Sequence, residues 1–265
     1  MTALPTLAPR RDWDPAFARA HPAFAALAAA GRFAASPDWP DLALWNARLA
    51  DLGLVAGSGV PLTFVAQPPR GRRRSPAAER YECRVFDRGE VPSRPRTWHD
   101  FFNMLCWATF PRAKAALNRR QRAAVTRLGL DAAERLPNAR SREQDALAML
   151  DEGGCVVLAS VPLGEALAKG DVDVVERAVR AGEARVVVVG HAVYEHLASS
   201  DGVVRALPIE LPVARVPADL AAVTARADAA LAEALDDPRF LAEPPPLVAL
   251  PMRRSLFESN PRSQS

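Results

Sequence analysis

The sequence predicts an α+β protein: a predominantly helical single domain with a small mixed sheet and a hairpin–helix unit around residues 81–128. Three observations carry this. Ala- and Leu-rich stretches repeat apolar residues at helical spacing, short Val-rich runs have the length and β-branching of buried strands, and the strand-like runs alternate with helices only in the later part of the chain. At 265 residues, with 49% hydrophobic and 25% charged side chains, the chain can bury a large core and is neither disordered nor fibrous in composition. Residues 1–10 and 251–265 are expected to be flexible tails around a globular domain over 11–250.

Residues 15–35 and 40–52 read as helices rich in Ala, Leu and aromatics, with Pro40 in a first turn. Residues 60–67 read as a short strand. The segment PPRGRRRSPAA at 68–78 cannot bury enough apolar surface to offset its ordering entropy and reads as an exposed basic loop. Alternation over 81–86, a turn at 87–90 and an extended run from Val91 held open by Pro92 and Pro95 predict a β-hairpin. Thr97 and Asp100 match a capping box before FFNMLCWATF, a helix apolar enough to need burial on most sides, and Pro111 suits the first position of the next helix. Further on, helices are expected over 141–152, 171–181, from Gly190, and over 217–235, with strands at 155–159 and 184–189. Pro208 and Pro212 make 203–213 an edge strand or a wrapping loop. From Glu243 onward the Pro-rich tail should wrap and then fray.

A net charge of +3 is too small for the global field of a dedicated nucleic-acid binder. Local patches remain. Residues 101–130 contain no acid and six basic side chains, Arg112, Lys114, Arg119, Arg120, Arg122 and Arg127, so the helix over 112–127 and the loop over Arg70 to Arg74 are the candidate surfaces for nucleic acid or a small anion. A solvated helix face and a plain connector are the competing readings. Three widely spaced cysteines without a CxxC pair suggest neither disulfides nor a zinc knuckle. With no run of roughly 18 apolar residues and no leader-like start, the expectation is a cytoplasmic protein without a membrane partner.

Three clusters could carry chemistry. In WHDFFN, His99 and Asn103 are four residues apart and share a helix face that Cys106 continues, an unusual polar line on an apolar helix. His191 follows a strand and a glycine at the start of a helix, with Glu195 one turn on; a helix N-terminus disfavours its protonation, leaving a neutral imidazole fit to bind metal or act as a base. Asp145, Asp151 and Glu152 precede Gly153-Gly154, and carboxylates at a helix C-terminus oppose the macrodipole unless a cation or an arginine such as Arg94 or Arg142 compensates. Each cluster also has a plain structural reading as caps and salt bridges. Walker A, GxGxxG, GxSxG, HExxH and EF-hand patterns are missing, which disfavours nucleotide folds and serine hydrolases.

Tyr81-Glu82-x-Arg84, Val91-Pro92-Ser93-Arg94, WHDFFNMLCWATFPRAKAALN (98–118), DALAMLDEGG (145–154) and GHAVYEHL (190–197) together resemble the bacterial family known as domain of unknown function 3025. The resemblance spans most of residues 80–200 and is expected to extend over the whole chain, and it implies boundaries but no activity. A hairpin followed by a helix bearing His99 also looks like the ββα metal finger of HNH nucleases, although the His–Asn spacing departs from it and Phe110 and Lys114 stand where a late metal ligand belongs.

The preferred expectation is metal-assisted hydrolysis of a phosphorylated or phosphodiester substrate. His99, Asp100 and Asn103 would be catalytic, with His99 as base; His191, Glu195, Asp151 and Glu152 would hold a divalent metal; Arg94 and Lys114 would bind the anionic group. The alternatives are a non-enzymatic nucleic-acid or ribonucleoprotein accessory module, and a structural or interaction protein whose polar clusters only specify packing. The enzymatic reading requires folding to bring His99 and His191 together.

Overall fold

The structure, a computed structural model, describes residues 12–67, 79–128, 141–199, 202–246 and 248–258. The expected N-terminal tail, the basic loop at 68–78 with Arg70 to Arg74, and residues 259–265 lie outside the described residues. WHDFFNMLCWAT forms helix α3 (Trp98–Thr109), and its apolar character puts it at the centre: every residue from Trp98 to Trp107 except His99 is buried. It packs against the N-terminal turns, α4 (Pro111–Arg127) and α8 (His191–Ser199).

Residues 15–35 are not the α-helix their composition suggests. They form three 3-10 turns, Phe17–Arg19, Pro22–Ala26 and Ala28–Phe33. The His21 ring accepts from Ala23 N and Leu27 breaks the helical conformation (φ −82°, ψ 68°), so Phe17 reaches the rings of Phe101 and Phe102, Phe24 that of Phe102 and Phe33 that of Phe101. Helix α1 (Leu42–Leu49) starts after Asp41, whose carboxylate accepts from Leu44 N, which leaves Pro40 outside the helix.

The hairpin expected at 81–93 does not form, and the likeness to a ββα metal finger goes with it. Tyr81–Arg88 is helix α2, and the strand after it, β2 (Glu90–Ser93), pairs in parallel with β1 (Thr63–Ala66). Parallel strands need a crossover rather than a tight turn, and α2 lies within that crossover. Gly89 (φ 68°) ends the helix; a Cβ there would meet Pro61 O at 2.1 Å. The unit over 81–128 is therefore helix–strand–helix–helix.

The later elements match their expected places: α5 (Arg142–Gly153), β3 (Gly154–Ala159), α7 (Val172–Arg180) capped by Asp171, β4 (Ala184–Val188) and α9 (Leu220–Asp236), with a short α6 (Gly164–Lys169) between β3 and α7. The larger sheet has strand order β4-β3-β5-β6, with β5 at Arg205–Pro212 and β6 at Leu250–Pro251. Its fully buried strand β3 pairs antiparallel with β4 and parallel with β5. Despite its two prolines, β5 is not an edge strand, because β6 flanks its start. Val213 N bonds Ala159 O while Val204 O accepts from Met252 N, so even-numbered residues of β5 direct their backbone groups away from β3. Pro208 and Pro212 thus lack an N–H only where β6 has already ended. Residues 251–257, expected to fray, pack instead: Met252 and Leu256 are buried and Arg253 bonds Asp173 and Glu176 of α7. Among the described residues no helix is long and apolar enough to cross a membrane.

Helix α4 has no cap of its own. Its first amides donate to Asp228 on α9, Ala113 N to Oδ1 at 2.7 Å and Arg112 N to Oδ2 at 3.3 Å, and Asp228 is buried. Asp228→Ala should therefore lower unfolding stability by about 2 kcal/mol in urea titrations. A loss under about 0.5 kcal/mol, the size of an ordinary surface change, would show that this cross-helix cap contributes little.

Candidate functional site

A cleft of about 520 Å³ opens where α2, the start of α3, the end of α5 and the start of α8 meet. His99, Asp100, Asn103, Asp151, Glu152 and His191 all line it. The two histidines are in contact: His99 Nε2 lies 3.0 Å from His191 Nε2, with ring centroids 4.4 Å apart and planes at 79°. Gly190 makes this approach possible. A Cβ at that position would meet Glu152 O at 2.5 Å and Gly154 N at 2.6 Å, so only glycine lets α8 begin against the end of α5.

Glu195 Oε2 sits 3.1 Å from His99 Nδ1. A carboxylate accepts only, so that nitrogen carries a proton, and the two facing Nε2 atoms share one more between them. Burial disfavours the His99 cation, but the hydrogen bond and charge of Glu195, aided by Asp100, outweigh it and raise the pKa above the ordinary 6.5. His191 goes the other way: burial first, then the charges of Lys114 and His99, push it down to about 4 against the pull of Asp151. Its Nδ1 makes no side-chain hydrogen bond and lies 4.0 Å from Asp151 Oδ1, with a weak pull from the Asp151 backbone. The His99 side chain is 31% exposed and that of His191 only 6%, so His99 is the ring a ligand meets first.

Behind the histidines lies a buried ion pair. Lys114 Nζ donates to Asp151 Oδ1 at 2.5 Å and to Asn103 Oδ1 at 2.9 Å, and sits 5.2 Å from the Trp107 ring centroid. Burial works against both charges, yet each holds the other ionised: the Lys114 pKa is raised and the Asp151 pKa lowered. The side-chain cation that answers the acid at the end of α5 is thus Lys114 rather than Arg94 or Arg142; Arg142 pairs with Glu243 at 2.9 Å. Asn103 passes the contact on, donating from Nδ2 to Tyr81 Oη at 2.9 Å.

Several expected roles change in this setting. Asp100 does not complete a capping box with Thr97. It takes Arg94 N at 2.6 Å and the Arg94 guanidinium at 2.8 and 3.0 Å, tying the start of α3 to the preceding turn. Arg94 is correspondingly engaged, and Lys114 is buried, so neither stands free as an anion binder. The foreseen cation cage of His191, Glu195, Asp151 and Glu152 is not assembled: Glu195 addresses His99, Asp151 addresses Lys114, and among the described residues no three ligand side chains are grouped to hold a metal. On α4, Lys114, Arg119, Arg120, Arg122 and Arg127 pair with Asp151, Asp236, Glu143, Asp87 and Glu143, respectively.

Sequence reasoning missed Tyr81, which reaches the site only because residues 81–88 are helical. Its rarity was the available signal, since the chain has two tyrosines, and the other, Tyr194, is buried beneath α3 and donates to Val188 O.

The depressed His191 pKa fixes a sign for stability. Below 6.5 the unfolded chain takes up a proton at this position while the folded chain does not until about 4, so the contribution of His191 declines as pH falls through that window. His99, with its raised value, stabilises the fold below 6.5 and loses that contribution as pH rises through its folded pKa. Urea titrations should show His191→Gln losing less stability than the unsubstituted protein between pH 6.5 and 4, by on the order of 1 kcal/mol per pH unit. Parallel curves for the two proteins would mean that His191 titrates normally.

Among curated proteins and among solved structures nothing matches the chain significantly. The model of one family, described as "Protein of unknown function (DUF3025)", matches residues 62–254, which include α2 and every cleft-lining residue named above. The match covers well over half of the sequence, and the chain belongs to that family.

Proposed function

We propose that the protein is a hydrolase whose acid–base device is the His99–His191 pair. One observation carries the reading: two imidazoles in contact at the wall of a polar cleft, with surroundings that drive their pKa values apart, one above 6.5 and one to about 4. Paired titratable groups separated in this way mark an acid and a base. At neutral pH the shared proton is available to a leaving group, and the Nε2 it vacates can then take a proton from a water. Glu195 holds the His99 ring in the tautomer that keeps Nε2 aimed at its partner.

The foreseen preference for phosphorylated or phosphodiester substrates has weaker support. Five carboxylates line the cleft against three guanidiniums, and Arg80, Arg84 and Arg94 are paired with Glu82, Glu90 and Asp100. A metal-assisted variant would have to place the ion on the two facing Nε2 atoms, where Glu195 would support His99 from behind. Calorimetric titration with zinc distinguishes that variant, since binding there disappears in His191→Gln. The nucleic-acid alternative draws little from α4, whose basic side chains are largely paired.

The test is a panel of activated carboxylic esters, phosphomonoesters and phosphodiesters assayed at neutral pH. The protein should hydrolyse at least one of these classes, and His99→Gln and His191→Gln should each lower kcat by about 10²- to 10⁴-fold while the fold is retained. Full activity in both variants, or no turnover on any class, would refute the reading.

A further inference from the structure

The cleft contains a donor chain whose direction is dictated by chemistry. Lys114 has protons and no acceptor, so the Asn103 atom facing it is the carbonyl oxygen, and the Asn103 amide must present its NH₂ to Tyr81 Oη at 2.9 Å. Trp107 Nε1, also donor-only, points at the same oxygen from 3.5 Å. Both neighbours of Tyr81 Oη are therefore donors, and the tyrosine's own proton has to go elsewhere. Among the described residues it finds no acceptor, and Tyr81 lines the cleft.

The geometry points to Tyr81 as a substrate-contacting donor whose O–H is held toward the cleft to bind the oxygen of a neutral acyl group, an amide or ester carbonyl. The charged Lys114 stands two hydrogen bonds behind it and polarises the chain toward that oxygen. Burial raises the phenol pKa, which keeps the proton in place at neutral pH. Tyr81, His99 and His191 line the same cleft, and Asn103, which holds Tyr81, is one helical turn from His99 on α3. A carbonyl suits the site better than a phosphate: a single hydroxyl supplies one bond, and the guanidiniums that a phosphate dianion would need already hold carboxylates. The proposed hydrolysis supplies the reaction. Water adds to the carbonyl carbon, the developing oxyanion rests on the Tyr81 O–H, the shared proton of the imidazole pair passes to the departing alcohol or amine as the C–O or C–N bond breaks, and the vacated Nε2 takes the proton that the added water gives up.

Benzamide, an unreactive acyl probe, tests the donor apart from turnover. Inorganic phosphate is the comparison ligand. With two tyrosines in the chain, ¹³Cζ labelling gives two resonances, and Tyr81→Phe assigns them. At about 10 mM benzamide should bind and move the Tyr81 signal, phosphate should leave it in place, and Tyr81→Phe should weaken benzamide at least about tenfold in calorimetry. The proposal is overturned if benzamide does not bind, if it binds without shifting Tyr81, if phosphate shifts Tyr81, or if a folded Tyr81→Phe binds benzamide as before. Because the shift is read on the unsubstituted protein, a misfolded variant does not decide the matter. Benzamide binding through Tyr81 without hydrolysis of any ester would refute the hydrolase reading and leave the donor assignment standing.

Discussion

The buried pair of Lys114 and Asp151 is the constraint around which the site is arranged. Two opposite charges removed from water are stable only in contact and with their remaining hydrogen-bonding capacity filled. Asn103 takes one Lys114 proton, the Trp107 ring lies close to the ammonium, and the 2.5 Å contact joins α4 to the end of α5. In other proteins, removing one partner of such a pair leaves an uncompensated charge and costs about 3–5 kcal/mol. The pair therefore fixes the separation of α4 from α5, whose end lines the cleft.

Its second effect is electrical. Burial disfavours a cation at His191, and although Asp151 lies 4.0 Å from its Nδ1, the Lys114 charge beside that carboxylate opposes protonation further, whereas Glu195 favours it at His99. One acid is neutralised by a lysine and the other is not. Deeper burial of His191 and that difference together favour protonation of His99 over His191, two rings of the same type with opposite tendencies 3.0 Å apart. The same lysine sets the orientation of Asn103, and through it the direction in which Tyr81 donates. A single non-local ion pair thus underlies both the acid–base pair and the donor chain.

The helical, single-domain α+β character was legible because the apolar helix α3, the buried strands β3 and β4 and the capped helices α7 and α9 each carry a local pattern. So was the meeting of the His99 and His191 segments, since polar residues on an apolar helix and at a strand–glycine–helix corner both require partners. What was not legible depends on distant contacts. Six alternating residues at 81–86 fit a strand as well as a helix, and only the parallel pairing of β1 with β2 decides between them. Lys114 looked like part of a basic surface because its partner lies 37 residues away. The prolines of β5 looked disruptive until register showed their nitrogens facing the open side. The expected metal cage is not grouped among the described residues because Glu195 answers His99 and Asp151 answers Lys114.

The central claim is that one proton is shared by two coupled imidazoles with divergent affinities. Proton NMR titration of the four histidines, with His99 and His191 assigned by substitution, measures this directly. The account requires His99 to titrate above 6.5 and His191 near 4, with a second inflection in each curve where the other ring changes charge. Two independent single-step curves, both centred near 6.5, would contradict it.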